Sequence, residues 1–221
     1  MKPRGGTVKA TRSYHSPSRA DRAQQTRATI VDAARTLFVR EGFSATTIVA
    51  IAAAAGISAE TIYKAFGGKP GIVRVICQQA LAGSGPVPAE TRSDALRDAT
   101  NDPHAIVQGW GLLTVEIAPR ISPILLLLRD AAATEPEMAA LQGEMEALRL
   151  SRMRHNAQAI AAHLRPDLTT DDAAVILWTY SSPELYELLV IKQRWPLQRY
   201  GEFVSDALAA ALLPSISRAP A

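Results

Sequence analysis

Ala59, Glu60, Tyr63 and Lys64 fall on one face of a short helical stretch, a small side chain, an acid, a phenol and a cation left free for a partner. Nothing nearby turns them into a reaction centre. His155 and His163 lie eight residues apart and the acids are scattered, with no Gly-rich phosphate loop, no H-E-x-x-H helix and no paired cysteines. No nucleophile, base and orienting partner come together. The chain is therefore not expected to be an enzyme, and no cofactor or metal is expected.

The elements that must position this face occupy residues 47–66, TIVAIAAAAGISAETIYKAF. Ile48, Ile51, Ala52 and Ala55 recur at helical spacing, with Thr46 placed to cap the helix. Gly56 supplies the left-handed residue that ends it, and Ser58 caps a second helix whose buried side carries Ile62 and Phe66. Small Ala52 and Ala53 allow the close, near-perpendicular crossing of two helices over a short turn. Upstream, residues 27–47 form an amphipathic helix with Ile30, Ala33, Ala34, Leu37 and Phe38 inside, stopped at Gly42 with Phe43 folding back. Downstream, Gly67, Gly68, Lys69 and Pro70 end the second short helix and start another.

The order R..I..AA..LF...GF..TT...IA..AGIS..TIY..F..K, from Arg27 to about Val73, strongly resembles the TetR family of bacterial transcriptional regulators. The resemblance implies an all-α fold of about nine helices, with a three-helix helix-turn-helix DNA-binding head, a connecting fourth helix and a larger helical domain that senses small molecules and dimerises. The expected divisions are a flexible basic arm at residues 1–20, a DNA-binding domain at 21–69, a ligand-sensing and dimerisation domain at 70–213 and a tail at 214–221. The resemblance also places Thr46 and Thr47 on backbone phosphates at the start of the second helix, and Tyr63 and Lys69 on phosphates across the groove. Ala59, Glu60 and Lys64 are left for base edges, with Lys64 suited to guanine and Glu60 to cytosine; Thr61 serves phosphate or packing and Ser58 stands at the head of the reading helix.

Charge agrees with such a partner. Residues 1–70 carry eleven Lys or Arg against four Asp or Glu, a balance of +7, whereas the remainder holds 13 against 17, a balance of −4. Phosphate neutralisation needs such a local concentration of cations. A non-specific DNA-packaging protein is the competing reading, and it is expected to be basic throughout. In the arm, Lys9, Arg12 and Arg19 are either solvated or reach DNA backbone or minor groove.

With 221 residues and 48% hydrophobic content the chain can bury a substantial core. The single cysteine, Cys77, excludes an intrachain disulfide and suits a reducing cytoplasm. The amino terminus lacks the apolar centre of a secretory signal, and the longest apolar run, residues 121–128, contains Ser122 and Pro123 and falls short of a membrane span. A cytoplasmic protein with no membrane partner is expected.

Beyond Lys69 the pattern predicts helices near 70–82, 103–118, 123–133, 137–164, 170–193 and 196–213, with a further turn around 91–100 and a break at 118–123 set by two prolines. Pro183 should kink or restart its helix after Ser181 and Ser182. Leu185, Leu188, Leu189, Leu197, Val204, Leu208 and Leu212 form more apolar stripe than one partner face needs, which predicts a four-helix bundle between two copies, or else packing within one. A homodimer implies a roughly palindromic operator. The family pattern further implies a cavity for a largely apolar small-molecule effector. Candidate lining residues are Trp110, Leu113, Ile117, Met145, Trp178 and Tyr186, with Thr114, Arg129, His155 and Tyr180 as polar handles, although aromatic and Met residues at helical spacing usually pack as core.

Overall fold

The computed structural model describes residues 18–83 and 85–214, and every regular element among them is helical. Nine α-helices have eight residues or more: α1 (Arg19–Glu41), α2 (Ile48–Ala55), α3 (Ala59–Phe66), α4 (Lys69–Ala82), α5 (Ala89–Ala99), α6 (Pro103–Ala132), α7 (Pro136–Ala159), α8 (Thr170–Tyr180) and α10 (Leu197–Leu212). Between the last two lies the short α9 (Pro183–Tyr186), which runs into a π-helical segment, Glu187–Lys192. Lys9 and Arg12 of the basic arm, and residues 215–221 of the tail, lie outside the described residues.

Two expectations about continuity change. The break at 118–123 is absent, and α6 runs for 30 residues through Pro119 and Pro123. Each proline removes an amide donor at a cost of roughly 3 kcal/mol, yet α4, α5, α7, α9 and α10 all pack against this one helix and hold it. By length and composition α6 could cross a membrane; here it is the central rod of the body. Conversely, the helix expected over 170–193 is divided. Ser182 caps α9 by accepting from the Leu185 amide, with Pro183 at the first helical turn where its missing N–H is harmless.

Two cores are present, and neither follows the expected boundary between residues 69 and 70. The first joins Ile30, Phe38, Ile51 and Ile62 of the head to Ile72 and Ile76 of α4, Ile124 and Leu128 of α6, and Met138 and Leu141 of α7. The second joins Ile106 and Trp110 at the other end of α6 to Ile160, Leu177, Tyr200 and Leu208. Where α6 crosses α10 the backbones nearly touch. A Cβ on Gly111 would lie 1.7 Å from Ser205 Oγ, and one on Gly201 would lie 2.2 Å from Val115 Cγ2.

Candidate nucleic-acid interface

The head is built around one tight corner. Gly42 closes α1 with φ 82°, Phe43 folds back onto Phe38 with ring centroids 5.2 Å apart, and the chain then enters α2. The cap of α2 is Thr47, whose hydroxyl accepts from the Ala50 amide, and not Thr46. Thr46 is fully buried and donates its hydroxyl to the Gly42 carbonyl at 2.8 Å. It stitches the corner, and the phosphate contact expected of it is withdrawn, because a buried and committed hydroxyl cannot meet a ligand.

Gly56 ends α2 at φ 67° and ψ 34°, the left-handed region a side chain rarely adopts. The chain turns there, and the axes of α2 and α3 are bent by 106°, within the range of a helix-turn-helix pair. Ser58 caps α3, accepting from the Thr61 amide and sharing a 2.8 Å hydroxyl contact with Thr61. On α3 only Ile62 is buried; Glu60, Thr61, Tyr63 and Lys64 are exposed and Ala59 half-buried. Tyr63 keeps 57% of its surface in solvent, so it does not serve as a core cover. The free face read from the sequence is therefore free in the fold.

Lys69 is more committed than expected. Its ammonium donates to the Phe43 carbonyl at 3.1 Å and sits 4.1 Å above the Phe43 ring. That anchors the start of α4 to the α1–α2 corner and leaves only the remaining N–H donors for a phosphate. At the other end of α3, Arg27 of α1 donates to the Ala65 carbonyl at 2.8 Å and stacks 4.3 Å over Phe66. This satisfies an orphan carbonyl of the last turn and fixes the reading helix from behind. Cys77 lies in the core of α4, and burial pushes its thiol up to about 12, far from reactive.

In the body, the residues expected to line an effector cavity do not converge. Arg129 and Met145 share a cleft between α6, α7 and α9 with Leu125, Gln142, Glu146, Arg149, Pro183 and Glu184; its free volume, about 30 Å³, holds a water or two and no organic effector. Trp178 flanks it, stacked 4.4 Å under the Arg149 guanidinium, which also bonds the Trp178 carbonyl. Trp110 and Tyr186 are core, Tyr186 edge-on to Tyr200. Ile117 packs against the head-side core, Thr114 bonds back to the Trp110 carbonyl, and Leu113 and Tyr180 are half-buried. His155 belongs to a separate α5–α7 cluster, 3.1 Å from Asp94, where Arg152 also pairs with Asp94 at 2.7 Å. Hydrogen bonding to Arg152 holds the Asp94 carboxyl below its usual range. Arg149 was missed in the sequence because a lone arginine in an Arg-rich helix carries no distinguishing pattern.

The stripe expected at a dimer interface also resolves differently. Val204, Leu208 and Leu212 are buried in their own subunit, and Leu185, Leu189 and Leu197 pack against the same core. Leu188 alone of the seven is exposed, at 52%. The surplus is absorbed because α10 lies directly on α6 through the Gly111 and Gly201 contact. The apolar side chains left outside on α8 to α10 are instead Val175, Leu188, Ile191 and Phe203, the last edge-on to Trp195 at 5.6 Å.

Comparison with known proteins agrees with this architecture. Residues 30–76, covering the corner, both short helices and the first half of α4, match the family of bacterial regulatory proteins designated tetR. The HTH-type transcriptional regulator YvkB of Bacillus subtilis is 36% identical over 69 residues, a match that covers 31% of this chain and 36% of that protein. The fold extends further. NalD, the secondary repressor of the MexAB-OprM multidrug efflux pump in Pseudomonas aeruginosa, superposes with TM-score 0.70 over 89% of this chain and 100% of its own, at 21% identity. SmeT, solved with triclosan, superposes with TM-score 0.66 over 89% and 96%, at 20% identity. The buried Thr46 corner, the left-handed Gly56 turn and the exposed face of α3 all lie inside the segment that matches the tetR family of bacterial regulatory proteins.

Proposed function

We propose that this protein is a sequence-specific DNA-binding transcriptional regulator, a repressor that leaves a palindromic operator when a small molecule binds its body. The observation that carries the reading is the α2–α3 pair: a 106° corner that buries Ile62 and turns a polar face outward. In it, Ala59, Glu60 and Lys64 meet base edges, while Thr47, Ser58, Thr61, Tyr63 and the spare donors of Lys69 meet phosphates. Two copies pair through Val175, Leu188, Ile191 and Phe203, which sets two reading helices against successive major grooves.

Release requires the effector to bind one arrangement of the heads better than the other. The cleft between α6, α7 and α9 is the entry that suits this role, since Met145 and Leu125 line it and also pack in the head-side core. Helix α7 then meets both α4 and the head: Glu144 holds Arg74 of α4 with a 2.7 Å contact, and Glu135 at the α7 cap accepts from Ser44 of the head at 2.9 Å. Opening the cleft to admit an organic molecule moves α7, and the displacement travels through these two contacts as well as along α4.

Footprinting on duplexes selected by the protein from a random library tests the proposal. A short protected palindrome, with base preference altered by Glu60→Ala at one position of each half-site, is the expected outcome. Diffuse protection with no enriched sequence would instead assign an architectural role.

A further inference from the structure

Arg149 stands in the wall of the cleft between α6, α7 and α9, and its donors are only partly used. Nη1 donates to the Trp178 carbonyl, and to Ser181 Oγ at 3.2 Å, which satisfies the last turn of α8. One face of the guanidinium is covered by the Trp178 ring, 4.4 Å away. What remains is the edge formed by Nε and Nη2, and these two nitrogens donate to nothing among the described residues. Two parallel N–H groups on one rigid plane match the two oxygens of a carboxylate.

Charge in the cleft agrees with that match. Arg129, the other guanidinium there, is answered by Asp130 and Glu187 at 3.2 Å and by Glu184 at 3.6 Å, whereas Arg149 makes no ion pair among the described residues. Burial pulls Arg149 below its ordinary pKa, outweighing the opposite pull of Glu184 and Glu146. A guanidinium does not shed its proton, so it bears the desolvation cost, and a paired anion would offset it. The indole N–H of Trp178 beside it is also buried with no acceptor among the described residues.

We propose that Arg149 is the specificity-determining residue of this cleft, and that the effector it admits is a monocarboxylate with an apolar body, the carboxylate forked on Nε and Nη2 and the body against Leu125, Met145 and Pro183. The proposal rests on the cleft being the effector site. Glu146 and Glu184 line the same cleft, so a doubly charged phosphate meets about twice the repulsion that a monoanion does. The free volume, about 30 Å³, takes little more than a head group, and the body of the molecule has to part α7 from α6 and α9.

Calorimetric titration of the full chain with benzoate, hexanoate and phenyl phosphate, and with benzamide and hexanamide as neutral counterparts, tests the assignment. Each carboxylate binds at least about tenfold tighter than its amide, the difference expected of one charge-assisted pair, and phenyl phosphate binds more weakly than benzoate. In Arg149→Gln, with folding checked by melting temperature, acid and amide no longer differ; Arg149→Lys keeps the charge without the fork and retains part of the preference. Equal binding of acid and amide by the parent chain, tighter binding of phenyl phosphate, no binding of either carboxylate, or a preference that survives Arg149→Gln overturns the proposal. The acid-to-amide comparison is made on the parent chain, so it decides the matter even where a variant fails to fold. Repeating the titrations with a selected duplex present separates this site from the regulatory reading. Arg149-dependent carboxylate binding that leaves duplex affinity unaltered counts against release alone, whereas release by amides and carboxylates alike counts against the carboxylate assignment alone.

Discussion

Helices α3 and α6 mark the two extremes of burial among the nine longer helices. The first has one buried residue in eight and the second twelve in thirty, and the two cores divide the burial unevenly with respect to the chain. The boundary between cores does not lie where the head ends. It crosses α6 near Pro119 and α7 near its middle, so the head shares its core with the second half of α6 and the first half of α7. Helix α3 gains little from its own burial and is held by a core that the head shares with α4, α6 and α7.

The largest effect that could break this comparison is expected at Ile62. Ile62→Ala removes the one buried side chain of α3 and should cost about 3–4 kcal/mol. If the head leans on the body as described, the first core unfolds as a unit, and a single cooperative transition with lost DNA binding is expected by calorimetry and gel shift. A separate early transition confined to the head would mean that it is autonomous.

Gly111→Ala probes the other core. The added Cβ would meet Ser205 Oγ at 1.7 Å and the Gly201 carbonyl at 2.9 Å, backbone that cannot step aside. Overpacking of this kind should cost about 2–3 kcal/mol, read as a lower melting temperature with the DNA preference of the surviving folded protein unchanged. Altered preference would show that the α6–α10 crossing sets the spacing of the heads.

How much of this was legible in the sequence follows the same division. The head could be read almost residue by residue, because Gly42, Gly56, Ser58 and Gly67 punctuate it with local backbone chemistry. It departs at two points: α1 begins at Arg19, eight residues before the expected start, because the Ser18 capping box and not apolar spacing sets it, and Thr47 rather than Thr46 is the α2 cap, because adjacent threonines differ only in which one the corner buries. In the body, local signals misled. Pro119 and Pro123 were read as a helix break, whereas they mark the handover between two cores inside a helix that tertiary packing keeps whole. The stripe of Val204, Leu208 and Leu212 could not reveal whether it faced its own subunit or a second one, since both bury it equally. The π-helical turn at 187–192 has no sequence signature at all.

Asp94→Asn should have a smaller effect. Hydrogen bonding to Arg152 holds the Asp94 carboxyl below its usual range, so its contribution is present at neutral pH and is lost as pH falls through the depressed value. The variant should be less stable at pH 7 by under about 1 kcal/mol, since the cluster is partly solvated, and the difference should vanish once pH falls below the depressed value. A difference that instead grew in acid would mean that the carboxylate is not the stabilising form.

The smallest change in stability is expected at Glu144→Gln, and it bears most directly on how body and head communicate. Arg74 and Glu144 are each 41% exposed, so the pair is screened and should contribute no more than about 0.5 kcal/mol. Its removal leaves the shared core and the face of α3 untouched, and affinity for a selected duplex should stay within twofold. What it does loosen is the polar link from α7 to α4, the other polar link on that side being Ser44 of the head to Glu135. Hydrogen exchange of the protein with and without that duplex can read the link. In the parent chain, DNA binding at α3 should slow exchange along residues 136–149 of α7, far from any contact with DNA. In the variant, and more so with Glu135→Gln added, that protection should shrink while protection of α3 persists. Equal protection of α7 in all three proteins would place the transmission in α4 alone.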